Sequence, residues 1–170
     1  MTGVSIVKKT NILLEDGTNE LELLEFQVGK NTYGINVAKV VEISTAKETT
    51  TVVGASDFAS EIFVLRGEVV RVVDLFKILQ TKPEGNEREM FITCNFNELT
   101  TAFRVGKVDS IHRISWADIK KTPHIANATE SGQGMLTGVV ELKEEISNKT
   151  SKLILMLDFE RILSLVNKAI

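Results

Sequence analysis

Apolar positions along this chain come in short bursts of β-branched and aromatic residues, cut by Gly, Asn and charged pairs. That punctuation predicts strands rather than helices. ELELLEFQVG (residues 20–29) alternates imperfectly and turns back through KNTYGIN into a second short strand. EIFVLRG and EVVRVVDL predict a hairpin hinged at Gly67, while EMFITCNF and TTAFRVG predict another with residues 97–99 near its tip. MLTGVVEL and SKLILMLD predict a third, separated by the polar loop KEEISNKT.

Helical spacing is rarer. VAKVVEI places Val37, Val40 and Val41 on one face and predicts a short amphipathic turn or two. DFERILSLVNKAI spaces Phe159, Ile162, Leu163 and Val166 as a helix does, with Asp158 in the N-cap position. Asp74 stands in the same relation to LFKIL. A carboxylate just before a helix is more often its cap than a catalytic group.

The pattern then repeats. YGINVAKVVEI (from Tyr33) slides onto TAFRVGKVDSI (from Thr101) so that Val37, Lys39, Val40 and Ile43 meet Val105, Lys107, Val108 and Ile111. LRG (Leu65 to Gly67) meets LTG (Leu136 to Gly138), and VVDLFKIL meets LMLDFERIL. Three matches in the same order predict a duplicated, mostly-β unit. The expected fold is two small five-stranded SH3-like or OB-like barrels side by side, with short helices and a C-terminal helix. The expected division is a tail over residues 1–19, lobe one over 20–85, lobe two over 86–157 and a closing helix over 158–170. The polar stretch from ADIKK through ATESGQG reads as an irregular connection within lobe two.

Composition adds mostly exclusions. A chain of 170 residues with 43% hydrophobic and 25% charged residues is long enough to bury a core. The net charge of −3 with scattered Lys and Arg argues against a nucleic-acid partner, as does the 6% aromatic content. Cys94 is the single cysteine, so no internal disulfide forms, and within FITCNF it reads as a small core hydrophobe rather than a nucleophile. The N-terminus lacks the apolar core of a signal peptide, and LILML is far short of the roughly 20 residues of a spanning helix. The chain therefore reads as cytoplasmic, with no direct membrane insertion. His112 and His124 lack metal-ligand spacing, and no phosphate loop, HExxH or GxSxG motif appears. Glu144 and Glu145 fall in a polar loop and read as solvated. No catalytic, metal or cofactor site is expected, and the chain does not read as an enzyme. A small nucleic-acid-binding barrel is the alternative.

EFQVGKNTYGINVAKVVEI, then LRGEVVRVVDL, FRVGKVDSIHRIS, LTGVV and KLILMLDFERIL together resemble the CheW-like domain of bacterial chemotaxis. The likeness covers nearly the whole chain. ILLEDGTNELELLEF and IHRISW are more similar to the N-terminal coupling domain of CheV than to CheW. CheV joins such a domain to a phosphorylatable receiver, and no phosphoacceptor is assigned within these residues. The resemblance implies a non-enzymatic adaptor of two barrels that couples chemoreceptor cytoplasmic tips to the regulatory domain of the histidine kinase CheA. Other CheW-like domains are further candidate partners. It implies partner contacts at Val40, Glu42, Leu65, Arg66 and Gly67, with an apolar groove around Val40, and at Phe91, Ala102 and Ile111 in the second lobe. It also implies that Arg66 grips Glu42 through two bonds. Gly67 fits a tight turn that needs positive φ. The chain departs from the family pattern at three places. Glu61 replaces a frequent Gly, Val64 a frequent Asn and Arg71 a frequent Pro.

Overall fold

The first hairpin follows directly from its sequence. β1 (Glu20–Val28) turns at Gly29, where φ is +63°, into β2 (Asn31–Asn36). The structure, a computed structural model, describes residues 19–86, 88–121, 134–143 and 151–168. The predicted helical turn over VAKVVEI shrinks to a 3-10 turn at Val37–Lys39, capped by the Asn36 side chain accepting from the Ala38 amide. From Val40 the chain is extended as β3 (Val40–Thr45), because alternating burial of Val40, Glu42 and Ser44 suits a strand better than a helix face. Next come β4 (Thr50–Thr51), β5 (Glu61–Leu65), β6 (Glu68–Asp74) and helix α1 (Leu75–Ile78).

The second half repeats the series. It comprises β7 (Met90–Phe96), β8 (Leu99–Val105), β9 (Val108–Ser115), β10 (Ile119–Lys120), β11 (Leu136–Lys143), β12 (Ser151–Leu157) and helix α2 (Phe159–Lys168). Both helices carry the expected caps. Asp74 Oδ1 accepts from the Phe76 amide at 2.9 Å, and Asp158 Oδ1 from the Arg161 amide at 3.0 Å. The KEEISNKT loop after Lys143, with Glu144 and Glu145, and most of the ADIKK–SGQG stretch, including His124, lie outside the described residues. So do residues 1–18, and so do the last two of the expected closing helix.

The two sheets have the orders β10-β11-β12-β2-β1-β9 and β4-β5-β6-β8-β7-β3. Written this way, each strand of one sheet stands where its duplicate stands in the other. The register agrees: β12 pairs with β2 in parallel as Leu155↔Tyr33 and Met156↔Gly34. β6 pairs with β8 as Arg71↔Thr101 and Val72↔Ala102. The duplication is therefore real, but its halves exchange their first hairpins. β1 and β2 complete the sheet built from β9–β12, while β7 and β8 complete the one built from β3–β6. A division of strands at residue 85 is not how the sheets divide the chain. Each sheet has five longer strands and one two-residue edge strand, so the expected count of five becomes six. One match does not survive: LRG is a hairpin tip, whereas LTG opens β11 at the far end of its hairpin.

The exchange is made at two short links. After β2 only three residues, and after β8 only Gly106 and Lys107, precede the next strand. Both links carry the chain across to the facing sheet. The second link is fastened to β1, with the Gly106 amide donating to Gln27 O at 2.8 Å and the Gln27 amide to Lys107 O at 2.7 Å. A Cβ at Gly106 would stand 2.9 Å from Gln27 O, so the crossing needs glycine for close approach rather than for φ.

The largest core lies between the sheets and under α2. Phe159 of α2 stacks on Phe103 of one sheet, centroids 4.0 Å apart, and meets Phe26 of the other edge-on at 5.9 Å. Each sheet also wraps a cluster of its own: Leu21, Leu23, Ile114, Val140, Ile154 and Met156 in one, and Phe63, Val70, Val72, Phe91 and Ala102 in the other. Such strand-only clusters stay dry because the sheet curls over them.

Two departures from the family pattern acquire partners here. Arg104 donates to both Glu61 oxygens at 3.0 and 3.1 Å and to Glu89 at 2.6 Å, and lies over the Phe91 ring. Thr49 also donates to Glu61. Arg71 donates to Asn167 and so fastens β6 to α2. Burial pushes the Glu61 carboxyl up, but the Thr49 hydroxyl and Arg104 outweigh it and hold it below the usual glutamate value. Asp74 goes the other way, raised chiefly by burial.

Gly34 tests the core. A Cβ there would come within 2.8 Å of both Ile154 and Leu23 inside the first sheet. Gly34→Ala is expected to destabilise by about 1–3 kcal/mol through overpacking, read as a lower urea midpoint. The acid limb tests the Glu61 cluster. With its folded value below 4.5, the Glu61 contribution is present above that pH and fades as pH falls through the folded value. Asp74, being raised, changes in the opposite sense, so the difference between variants is the clean readout. Glu61→Gln should be less stable than wild type by about 1 kcal/mol at pH 7, and the gap should close in acid. A gap that persists unchanged below the glutamate range would show that charge plays no part.

Candidate partner-binding site

The β5–β6 hairpin turns in two residues, Arg66 and Gly67, between the paired Leu65 and Glu68. Both have positive φ, +50° at Arg66 and +83° at Gly67, the mark of a type I′ turn. The first of these places usually holds Asn, Asp or Gly, because a left-handed conformation costs other residues about 1–2 kcal/mol. An arginine kept there has something to offset the strain. Its Nη2 donates to Glu42 Oε2 at 2.9 Å, across from β3.

Glu42 reaches that position through a β-bulge. The β3–β7 register slips between Val40 and Glu42, and the extra residue re-aims the side chain. Val40 then belongs to the main core, while Glu42 lies opposite Thr93. The pair is unequal: the Arg66 side chain is 73% exposed and that of Glu42 only 7%. The expected two-bond grip is a single charge-assisted bond, because the guanidinium approaches from the tip and presents one nitrogen. The ion pair itself is worth little at such exposure, but removing Arg66 leaves a buried carboxylate unpartnered, at about 1–3 kcal/mol.

The other sequence-derived candidates separate into two sets. Arg66, Gly67 and Ile111 are exposed and Leu65 is half-buried. Val40, Phe91 and Ala102 are buried, so they shape the surface from beneath and are not themselves open to a partner. An apolar groove formed by the Val40 side chain is corrected accordingly. A charged replacement at Val40 would strike the core. Seven of the eight residues belong to the sheet that carries the Arg66 tip, though Val40, at the head of β3, faces the common core; Ile111, on β9, lies on the other sheet.

A groove not expected from the sequence lies close by. A cavity of about 220 Å³ opens between the sheets, lined by Ile35, Lys39, Cys94, Trp116, Met156 and Phe159. Val40 follows Lys39 and pairs with Cys94, so β3 joins the groove to Glu42 three residues on, roughly 10 Å along a strand. Trp116, the one tryptophan of the chain, is 45% exposed at the groove. It sits on a 3-10 turn held by a capping box between Ser115 and Asp118. The sequence signal was SWAD itself: a lone Trp flanked by both cap residues.

Of the residues weighed for chemistry, Cys94 and His112 are used structurally. Burial pushes the Cys94 thiol well up, as suits a core sulfhydryl. His112 lies on the other sheet and bonds Glu25 at 2.8 Å, and Lys152 also donates to that buried carboxylate. No described helix is long and apolar enough to cross a membrane.

Comparison with known proteins agrees with this architecture. Residues 22–167 match the CheW-like domain family. The chain is 30% identical over 156 residues to chemotaxis protein CheV3 of Helicobacter pylori, covering 85% of this chain and 48% of that protein. It thus spans about half the length of that relative. It is 29% identical over 167 residues to chemotaxis protein CheW of Klebsiella aerogenes, covering 96% of this chain and 92% of the other. The fold resembles the crystal structure of the scaffolding protein TtCheW from Thermoanaerobacter tengcongensis, with a TM-score of 0.66 and 17% identity over 81% of this chain and 84% of that one. With the family match running from β1 to α2, the chain belongs to the CheW-like domain family.

Proposed function

We propose that this domain is a non-catalytic chemotaxis adaptor of the cytoplasm, coupling chemoreceptor tips to the regulatory domain of CheA. The observation that carries the reading is the Arg66–Glu42 bond. A strained arginine at an exposed tip, anchored to a buried carboxylate, fits a contact surface better than a hairpin that needs only to turn. The groove beside Lys39 and Trp116 supports the same reading. Receptor tips are helical hairpins, and a helix docks by placing spaced apolar side chains into such a groove. A volume of about 220 Å³ suits one or two of them. In this scheme Arg66 and Gly67 form the exposed rim, Ile111 a separate contact on the facing sheet, and Val40, Phe91 and Ala102 the packed support.

Trp116 makes the test direct. Titration of the domain with a receptor-tip helical hairpin should change its tryptophan fluorescence, and gel filtration with the CheA regulatory domain should give a joint peak. Arg66→Ala and Glu42→Gln should each weaken receptor binding, and the double variant should lose less than the two added. Contacting pairs commonly couple by about 0.5–3 kcal/mol. Strict additivity would make Arg66 an independent contact, and unchanged affinity in both single variants would remove this tip from the binding site.

A further inference from the structure

The groove between the sheets leaves Trp116 partly exposed, with Ile35, Phe96, Met156 and Leu157 lining the same cavity. An indole open to solvent beside an apolar wall is a surface that a segment of chain can cover. One segment starts at that spot. The Trp116 amide donates to the Asn19 carbonyl at 3.0 Å, and Asn19 is the first described residue, leading into β1. Residues 1–18 therefore join the fold at the edge of the groove, beside its tryptophan.

Their sequence suits that position. Ile12, Leu13 and Leu14 form an apolar triplet, with Lys8 and Lys9 ahead of it and Glu15 and Asp16 directly after. Asp16–Gly17 is a turn dipeptide, so the chain before Asn19 has a place to fold back. The stretch from Leu14 to Asn19 spans up to about 17 Å when extended, which brings the triplet within reach of a cavity that Trp116 itself lines. The cavity, of about 220 Å³, has room for one or two of these side chains. The charges agree as well. Lys39 is exposed on the lining and has no acidic partner among the described residues. Asp158 and Glu160 line the groove from the α2 side.

We propose that the N-terminal segment of this same chain occupies the groove. Ile12–Leu14 fill the cavity against Trp116, the Glu15–Asp16 pair meets Lys39, and Lys8 and Lys9 lie toward Asp158 and Glu160. The short tether holds the segment at an effective concentration on the order of millimolar, so even a weak contact fills the groove much of the time. The consequence rests on the reading of this groove as the receptor-tip site. The tip then binds only those molecules whose groove is open, and its apparent affinity falls by that fraction. The segment is a built-in competitor.

Emission and acrylamide quenching of Trp116 in the full chain, without receptor, read the contact directly. Ile12→Ser, Leu13→Ser and Leu14→Ser together are expected to shift the emission to the red and steepen the quenching. Lys39→Glu should act in the same direction, and adding Glu15→Lys and Asp16→Lys to it should restore the wild-type values. Circular dichroism and urea midpoints verify folding of each variant. The triple serine variant should also bind a receptor-tip helical hairpin about two- to tenfold more tightly. Unchanged emission and quenching in that variant, or a charge swap that restores nothing, overturns the proposal. A wild-type signal that varies with protein concentration puts the segment of one copy in the groove of another, and the contact within one chain is wrong. If the serine variant opens the groove while receptor affinity stays the same, the docking stands, and both the inhibition and the receptor reading of the groove fall.

Discussion

Links of three residues after β2 and two after β8 govern this molecule. At both links the chain crosses to the facing sheet instead of turning back into its own, so each half hands its first hairpin to the other. Everything downstream depends on that exchange. β12 finds its parallel neighbour in β2, β6 finds its own in β8, and the faces left over meet in one core closed by Phe159 against Phe26 and Phe103. The halves share hydrogen-bonded strands as well as apolar contact, which binds them into one cooperative body.

The candidate site takes advantage of that rigidity. Arg66 sits at a tip whose backbone disfavours it, and Glu42 sits in a sheet interior that disfavours a lone carboxylate. Each offsets the other's cost, and both are aimed by local irregularities, a type I′ turn and a β-bulge. The departures at Glu61 and Arg71 read the same way. Arg104 receives one charge, and the other reaches α2 through Asn167. Three substitutions that look disruptive in sequence thus leave the packing intact, and only Val64 changes the outer surface.

Much of this was legible beforehand because it rests on local chemistry. The hairpins, the caps at Asp74 and Asp158, the buried Cys94 and the duplication follow from alternation, capping preference and repeated spacing. The Arg66–Glu42 pair was legible through family resemblance rather than spacing. What stayed hidden depends on register. No local signal distinguishes a duplicated pair of sheets from a pair that trades hairpins, since strand pairing partners are chosen at long range. The bulge that separates Val40 from Glu42 is a one-residue slip, and it leaves in the core the Val40 that the resemblance placed at a binding surface. The groove at Trp116 needed both sheets in place before it existed.

Native-state hydrogen exchange, followed residue by residue, tests the exchange of hairpins most directly. The account predicts that the slowest amides of β1 and β2 open together with those of β9 and β12, and those of β7 and β8 with those of β3 and β6. Both groups should open only in global unfolding. If residues 20–85 and 86–157 instead open as two separate units with different free energies, the halves do not share strands and the account is wrong.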